Sequence, residues 1–207
     1  MTQLLLVRHG ETFWNLERRI QGQTNSELSP TGLAQAEALA IRLRDDPARL
    51  LVASDLVRTL RTAAPLALCT GLAIEPHAGL RERSFGVFEG HTVAEIERKY
   101  PREYAGWKSR DPEYVIPGAE TLVQLRHRVK AVLEAIARRG VSRVIVVTHG
   151  GVLDVAYRIA LGIADDAPRA WPLQNASINQ IEVTNDHWSL GPWGDVAHLA
   201  DVDDEIA

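Results

Sequence analysis

Two short segments of the sequence place a histidine next to glycine immediately after an apolar run. RHG at 8–10 follows the run Gln3–Val7, and HGG at 149–151 follows the run Ser142–Thr148. An imidazole can act as a nucleophile, as an acid or base, or as a metal ligand, and glycine lets the backbone approach a ligand closely. For either segment alone, a hydrogen-bonded structural histidine is an equally good interpretation. Two such segments in one chain favour a shared site that contains both imidazoles.

Two arginines could join the histidines at the same site. Arg8 comes directly before the first one, and Arg58 lies in ASDLVRTLRTA, close to the short apolar run that ends at Ala53. Guanidinium groups that converge on two imidazoles would form a cage of planar donors suited to bidentate phosphate binding. The alternative is that Arg58 and Arg61 form surface ion pairs, for example with Asp55, and for Arg61 this alternative is preferred. The sequence contains no P-loop and no dinucleotide-binding glycine motif.

The elements that position these residues follow from the hydrophobic pattern. The runs before both histidines are continuously apolar, which is typical of strands covered on both faces. The patterns predict strands at Gln3–Val7, Leu50–Ala53, Leu72–Ile74, Ser142–Thr148, Ser177–Thr184 and His187–Leu190, and helices at Pro30–Leu43, Asp55–Cys69, Thr92–Tyr100, Glu120–Arg139 and Gly151–Leu161. Strands and helices that alternate in this way indicate a wound α/β sheet, in which ligands bind beyond the carboxyl ends of the strands.

The segment Gly79–Gly118 interrupts this alternation. It is rich in arginine, glutamate, aromatic residues and proline, and its only helical pattern is Thr92–Tyr100. Such a segment is expected to lie over the sheet, and excursions of this kind often shape a pocket. Its His91 is a candidate for contact with a substrate. Five aromatic side chains either form an apolar rim for the substrate or pack the excursion against the sheet: Trp14, Phe85, Phe88, Trp107 and Tyr114.

Composition limits the architecture and the location of the protein. A chain of 207 residues with 45% hydrophobic content supports one full-sized core, hence a single domain. The longest apolar runs fall far short of the roughly 20 residues that cross a bilayer, so we expect neither membrane insertion nor export. The single cysteine, Cys69, cannot form an internal disulfide and therefore favours a reducing, cytoplasmic location.

The charge distribution argues against nucleic-acid binding. The net charge is −4, but the C-terminal tail DVDDEIA at 201–207 carries four carboxylates. The rest of the chain is therefore balanced in charge and has no basic stripe of the kind that displaces counterions from nucleic acid. We interpret the acidic tail as a solvated terminus.

Five segments occur in an order that resembles a known family. They are LLLVRHGETFWNLERRIQGQTNSELSPTGLAQA, ASDLVRTLRTA, LRERSFGVFEG, PGAET and VVTHGGVL. With them, nearly the whole chain except the tail resembles the histidine phosphatase superfamily, the phosphoglycerate mutase-like proteins. The resemblance implies an α/β fold that forms a three-layer α/β/α sandwich with a mostly parallel central sheet. It also implies one domain over 1–200, a cap-like excursion at about 79–118, and no metal or organic cofactor for hydrolysis.

The resemblance also implies roles for individual residues. His9 matches the nucleophile that attacks phosphorus to give a phosphohistidine, and Glu82 matches the general acid and base. Arg8, Arg58 and His149 match the positions that hold the phosphoryl oxygens. These roles are physically consistent, because an in-line phosphoryl transfer mainly requires positioning and fixed positive charge around the equatorial oxygens.

The remaining site candidates depend more strongly on the resemblance. Asn15, Gln21 and Gly22 match positions that line the phosphate and substrate mouth, and Gly150 matches a close approach of the backbone to the ligand. Without the resemblance, a salt bridge to Arg81 or Arg83 would be the preferred interpretation of Glu82. A metal site at the two strand-end histidines is a further alternative, but no carboxylate–histidine spacing of a known metal site accompanies them.

Departures from the family pattern favour water as the acceptor. The family divides into mutases that depend on 2,3-bisphosphoglycerate and phosphatases that transfer the phosphoryl group to water. This chain has Gly151 where the mutases have asparagine, Phe85 where they have tyrosine, and His91 in place of a lysine-type environment. It also lacks their arginine pair in the excursion, and these changes remove donors that a doubly charged substrate needs.

The sequence therefore predicts a phosphomonoester hydrolase that acts through a phosphohistidine on a small phosphorylated metabolite. Three alternatives stay open: a 2,3-bisphosphoglycerate-dependent phosphoglycerate mutase, an inactive member that binds phosphorylated ligands, and a metal-dependent α/β hydrolase. An edge strand of the sheet could support a homodimer.

Overall fold

A computed structural model describes residues 1–184, 187–200 and 202, so the predicted turn at 185–186 and nearly all of the acidic tail lie outside the described residues. The strands are β1 (Thr2–Arg8), β2 (Leu50–Ala53), β3 (Ile74–Pro76), β4 (Arg143–Thr148), β5 (Ile178–Thr184) and β6 (His187–Leu190). The helices are α1 (Phe13–Leu16), α2 (Pro30–Leu43), α3 (Val57–Thr70), α4 (Val93–Lys99), α5 (Pro101–Lys108), α6 (Leu122–Ala137) and α7 (Gly150–Leu161). Apart from α1 and α5, these elements lie within a few residues of the predicted ones.

One mixed sheet in the order β3-β2-β4-β1-β5-β6 forms the centre of the fold. Strands β3, β2, β4 and β1 run parallel to one another, whereas β5 is antiparallel to β1 and β6 is antiparallel to β5. In the β1–β4 pair, Arg8 lies opposite Thr148. The two strands therefore end at the same edge of the sheet, and the two histidines that follow them are brought together by this register.

Successive residues of β1 point into two separate hydrophobic cores. Leu4 and Leu6 pack with side chains of α6 and α7 on one face of the sheet. Leu5 and Val7 pack with side chains of α2 and α3 on the other face. This alternation explains why the run is apolar at every position, and it gives the three-layer α/β/α sandwich that the sequence implies.

The excursion has a small hydrophobic core of its own. Phe88, Ile96 and Ile116 are fully buried in it, and Trp107 packs edge-on against Phe88 with ring centroids 5.8 Å apart. Sequence analysis missed its second helix, α5. This helix starts at Pro101, the first helical position in which proline is tolerated, and the preceding Tyr100 leaves the helical conformation with φ −133° and ψ 58°.

One predicted strand is displaced along the chain. The run Leu72–Ile74 was expected to pair with the sheet, but β3 begins only at its last residue, Ile74. The reason is the end of α3, where Gly71 adopts a left-handed φ of 71° and its N–H bonds to Ala67 O at 2.9 Å. The chain needs the next two residues to return to the sheet. None of the helices in the described ranges is long and apolar enough to cross a membrane.

Candidate active site

His9 follows β1 and is almost completely buried, with 3% of its surface exposed. Its Nδ1 lies 2.7 Å from Gly10 O, and because a carbonyl only accepts, Nδ1 carries the ring proton and donates it. Nε2 is then the unprotonated nitrogen with a free electron pair. Burial first, and then the charges of Arg58 and Arg8, hold the pKa of His9 well below its usual value. At neutral pH the imidazole is therefore uncharged, which is the state a nucleophile requires.

Gly10, the residue after His9, packs closely against helix α2. A Cβ on Gly10 would lie 2.5 Å from the backbone oxygen of Gly32, near the start of α2. Thr62 Oγ1 accepts a hydrogen bond from the Gly10 N–H at 2.9 Å, which fixes the strand end against α3 as well. The close backbone approach at Gly10, which the sequence suggested for a ligand, is thus made to α2.

His149 follows β4, caps α7 and is fully buried. Its ring lies edge-on to that of His9, with centroids 5.2 Å apart. Nδ1 accepts from Arg58 Nε at 3.3 Å, so Nε2 carries the proton and donates to Ser54 Oγ at 2.8 Å. Burial, followed by the charges of Arg58 and then of His9 and Arg8, lowers the pKa of His149 well below its usual value. Direct contact of His149 with a phosphoryl oxygen stays a prediction, because both ring nitrogens bind protein groups here.

Arg58 is the second residue of α3, and only 1% of its surface is exposed. Nη1 donates to Thr24 O at 2.9 Å and Nη2 donates to Gly22 O at 2.7 Å. Each terminal nitrogen keeps a second hydrogen that can bind an anion. Burial lowers the pKa of Arg58 to about 10, while the negative charges of Glu82 and Glu89 oppose this shift. The guanidinium is therefore still a fixed cation at neutral pH.

Arg8 supplies a second cation at the end of β1. One of its terminal nitrogens donates to Leu173 O, and its Nε is buried without a hydrogen-bond partner among the described residues. Burial lowers the pKa of Arg8, and the nearby Glu82 charge opposes this effect. A Cβ on Gly150 would lie 3.6 Å from the Arg8 Nε, an ordinary van der Waals contact. Gly150 therefore borders Arg8, although this neighbour does not require a glycine there.

Glu82 reaches the same edge of the sheet from the excursion. Its Oε1 accepts from the Arg83 backbone N–H at 2.7 Å, and its Oε2 accepts from the Gly151 N–H at 3.0 Å. A Cβ on Gly151 would lie only 2.1 Å from Oε1, so a glycine is needed there to accommodate the carboxylate. Arg81 instead pairs with Asp55 at 2.6 Å, and this removes the salt bridge between Arg81 and Glu82 as an interpretation.

Asn15 lies in α1 beside the end of β1. Its Oδ1 accepts from Thr12 N and Thr12 Oγ1, both at 3.1 Å, and from Asn175 Nδ2 at 3.4 Å. These contacts orient the amide so that its NH₂ group is the part left to donate to a ligand. Asn175, which also donates to His9 O at 2.9 Å, was not found by sequence analysis. It lies in the loop before β5, about 165 residues after His9 along the chain, and no motif marks it.

A cavity of about 370 Å³ adjoins this constellation. Arg8, Glu82, Gly150 and Gly151 line it where it meets the end of the sheet, and further lining residues include Arg83, Phe85, Leu122, Asp154, Arg158 and Arg169. Of the five aromatic rim candidates, only Phe85 lines this cavity, whereas Phe88 is buried in the excursion core and Trp107 and Tyr114 line a neighbouring cavity.

Other sequence candidates lie apart from the cavity walls. Gln21 is buried, and its Oε1 has no hydrogen-bond partner in the described ranges. His91 contacts Lys99, with Nε2 3.1 Å from Nζ. His198, for which the sequence shows no partner pattern, is partly buried, and its Nε2 lies 3.1 Å from Ala176 O. Across the part of the chain that the structure describes, no three His, Cys, Asp or Glu side chains are grouped so that they could hold a metal ion.

The arrangement combines an uncharged nucleophile, fixed cations and a carboxylate at one edge of the sheet. The two guanidinium groups favour an anion at this edge, and they can stabilise negative charge that develops on it. The carboxylate at the cavity can exchange protons with a leaving group or with water. This set of groups fits phosphoryl transfer to and from an imidazole nitrogen.

Comparison with known proteins gives consistent results. The profile of the histidine phosphatase superfamily (branch 1) matches residues 4–196. The metal-independent phosphoserine phosphatase of Arabidopsis thaliana is 40% identical in an alignment 207 residues long, which covers 98% of this chain and 85% of the relative. A Proteus mirabilis protein named "Probable phosphoglycerate mutase GpmB" is 35% identical over 208 residues, 98% of this chain and 97% of the relative. Among solved structures, a mutant phosphoserine phosphatase from Entamoeba histolytica in complex with phosphoserine superimposes with a TM-score of 0.85 at 26% identity, covering 96% of this chain and 100% of that one.

Proposed function

The chain belongs to the histidine phosphatase superfamily, and we propose that it hydrolyses small phosphomonoesters through a phosphohistidine on His9. The observation that carries this proposal is the tautomer of His9. Its Nδ1–H is committed to Gly10 O at 2.7 Å, so Nε2 holds the electron pair that attacks phosphorus. A histidine that only bound phosphate would instead need a ring N–H, or a positive charge, toward the anion.

The proposed reaction has two steps. In the first, His9 Nε2 forms a bond to phosphorus while the phosphorus–oxygen bond to the leaving group breaks, and protonated Glu82 gives its proton to that oxygen. In the second, water attacks the phosphohistidine, Glu82 takes a proton from the water, and the nitrogen–phosphorus bond breaks to release inorganic phosphate. Arg8 and Arg58 stabilise the negative charge on the equatorial oxygens in both steps. His149 lies beside the nucleophile and orients the Arg58 Nε–H.

The cavity supports a small, charged substrate. Beyond the phosphate cage it is lined by Arg83 and Arg169, which can bind a carboxylate, and by Asp154. Asp154 Oδ2 pairs with Arg158 Nε at 2.8 Å, but Oδ1 has no hydrogen-bond partner among the described residues and can accept from an ammonium group. Asp154 lies one helical turn after Gly150 in α7, a distance of about 6 Å along the helix axis. Phosphoserine, which carries a phosphate, a carboxylate and an ammonium group, is therefore the first substrate to test. Two relatives are phosphoserine phosphatases by name.

The second candidate function is phosphoglycerate mutase activity, since a relative carries that name. Water is favoured as the acceptor because Glu82 fills the space beside Gly151, where the mutases have asparagine. Interconversion of 2- and 3-phosphoglycerate that is stimulated by 2,3-bisphosphoglycerate and faster than phosphate release would overturn the phosphatase proposal.

The decisive experiment traps the intermediate. Wild-type protein mixed with an aryl phosphate and quenched within milliseconds should contain acid-labile, base-stable phosphate on His9. The His9→Ala variant should lack this adduct and lose activity by about 10³-fold or more, as other enzymes do when the nucleophile is removed. Undiminished turnover by His9→Ala would refute the mechanism. Once the adduct is found, a panel of phosphorylated metabolites ranked by kcat/KM orders the substrates.

Four further expectations belong to the proposal. We propose a single catalytic domain over 1–200, a cytoplasmic location and no role in nucleic-acid binding, on the grounds of the single cysteine and the balanced charge. A homodimer is possible through a sheet edge, which is β3 on one side and β6 on the other. Light scattering across a dilution series tests the dimer, and a constant monomer mass would overturn it.

A further inference from the structure

The carboxylate of Glu89, which no catalytic role requires, lies at the centre of a dense hydrogen-bond cluster. Oε1 accepts from Gln23 N at 3.1 Å and from Phe85 N at 2.9 Å. Oε2 accepts from Thr24 N at 3.0 Å and from Thr24 Oγ1 at 2.5 Å. Four donors therefore face two oxygen atoms, and three of the four belong to the loop of residues 22–24. We call this loop the clamp loop.

The clamp loop is shaped around this carboxylate. Gly22 has a left-handed φ of 53°, and a Cβ on it would lie 2.0 Å from the Glu89 Oε1. A side chain at position 22 would therefore displace the carboxylate, and it would also strain the backbone. This contact explains why position 22 needs a glycine without requiring that Gly22 touch the substrate.

The same loop holds Arg58 in place. Its two outer carbonyls, Gly22 O and Thr24 O, each accept from one terminal nitrogen of the guanidinium at 2.7 and 2.9 Å. Nε of this guanidinium then bonds to His149 Nδ1 at 3.3 Å. Glu89 is thus connected to His149 through hydrogen bonds to the clamp loop, from the carbonyls of that loop to Arg58, and from Arg58 to the imidazole.

We propose that Glu89 is a positioning residue, which fixes the clamp loop so that the Arg58 guanidinium is aimed at the phosphoryl oxygens. The inference rests on the proposed function, because it is Arg58 that is assigned to the phosphate. Its chemistry requires a carboxylate, since all four partners are donors and an amide would turn its NH₂ group toward two of them.

The isosteric variant Glu89→Gln tests this assignment. It keeps the size of the side chain but loses the charge and half of the acceptors. We expect kcat/KM for an aryl phosphate to fall on the order of 10- to 100-fold, as expected when a binding group moves by about 1 Å. Orthovanadate, which mimics the transferring phosphoryl group, should bind more weakly by a similar factor.

A matched control and a double-mutant cycle separate positioning from general loss of stability. Glu95 accepts from Thr92 N at 2.8 Å and pairs with Arg19 at 2.7 Å elsewhere in the excursion, so Glu95→Gln should lower the melting temperature without changing vanadate affinity. If Glu89 acts through Arg58, then Glu89→Gln should cost at least fivefold less in an Arg58→Lys background than in the wild type. Equal losses in both backgrounds would overturn the proposal, and so would a wild-type vanadate affinity of Glu89→Gln.

A milder variant covers the case in which Glu89→Gln does not fold. Thr24 is exposed, and Thr24→Val removes one of the four donors while it keeps the shape of the side chain. It should weaken vanadate binding by a few-fold, and no change would count against the clamp. Vanadate and phosphate affinities measured by calorimetry do not depend on turnover. A wild-type protein that binds both ions but hydrolyses no ester would therefore refute the proposed function and leave the positioning test intact.

Discussion

The two sides of the site are built in different ways. The phosphate side consists of Arg8, His9, Arg58 and His149, which lie at the ends of β1 and β4 and at the start of α3. The second side, which we propose to face the rest of the substrate, combines α7 and the residues after it, including Asp154 and Arg169, with the excursion, where Glu82 and its neighbours adjoin a small core of three fully buried residues.

This difference separates the chemistry from the choice of substrate. The phosphate side is fixed by a hydrogen-bonded parallel sheet and by two large hydrophobic cores, so its cations and imidazoles have little freedom to move. The excursion has a much smaller core of its own and meets the phosphate side through a few polar contacts, among them those of Glu82 with Gly151 and of Glu89 with the clamp loop. Substitutions on the phosphate side, or at Glu82 and Glu89, should therefore affect every substrate equally, whereas substitutions of the other residues that line the cavity should affect substrates differently.

The largest effect is expected at Arg58. Arg58→Gln removes the buried cation that we assign to the transferring phosphoryl group, so kcat/KM should fall about 10²- to 10³-fold for all phosphomonoesters. Arg61→Gln, an exposed position one turn later in the same helix, serves as the matched control and should stay within twofold of the wild type. Steady-state kinetics with phosphoserine and an aryl phosphate measure both. Equal losses for Arg58→Gln and Arg61→Gln would remove the assigned role of Arg58.

A smaller loss is expected where the two sides meet at Gly151. A Cβ there would lie 2.1 Å from Glu82 Oε1, so Gly151→Ala must displace the Glu82 carboxylate, the proposed general acid, and should lower kcat roughly 10- to 100-fold. At Gly150 the added Cβ would lie at an ordinary 3.6 Å from Arg8 Nε, so Gly150→Ala should cost clearly less. The comparison of the two alanine variants under saturating substrate checks this order, and the reverse order would contradict it.

Phe85→Ala should change selectivity more than catalysis. This ring lines the cavity and stacks under the Arg83 guanidinium, whose Cζ lies 5.2 Å from the ring centroid. The ratio of kcat/KM values for an aryl phosphate and for phosphoserine should shift by about tenfold or less, as expected for one apolar contact. Vanadate affinity should stay near the wild-type value. A uniform loss for both substrates would contradict a role of Phe85 in selectivity.

The smallest effect concerns stability. The folded-state pKa values of His9 and His149 lie below the usual 6.5, so the unfolded chain binds more protons than the folded protein as the pH falls below this value. The free energy of unfolding should therefore be highest above pH 6.5 and should decrease below it, with each histidine contributing up to about 1.4 kcal/mol per pH unit. Urea unfolding at pH 7.5 and 5.5 measures this loss. His9→Gln should reduce it, whereas His187→Gln, at an exposed position in β6, should not.

The sequence predicted most elements of the sheet because their patterns depend on local burial. Continuous apolar residues identified β1 and β4, and the helical pattern at Pro30–Leu43 identified α2, where Ser29 accepts from the Gly32 N–H at 3.0 Å and caps the first turn. It missed α5 because proline and aromatic residues at 100–107 resemble a loop pattern, and the helix depends on packing against Phe88. It also missed Asn175. This side chain donates to His9 O, which only the folded sheet brings close, and the residues around Asn175 in the sequence give no sign of that contact.

The sequence by itself determined the chemical groups: two strand-end histidines, two arginines and a glutamate in a recognisable order. Only the tertiary structure decided their states. The tautomer of His9 depends on the carbonyl that Nδ1 meets, its charge depends on burial beside two guanidinium groups, and the aim of Arg58 depends on a loop held by Glu89. Proton positions and charges are set by distances of a few ångströms between residues far apart in the chain, and a linear pattern does not contain these distances.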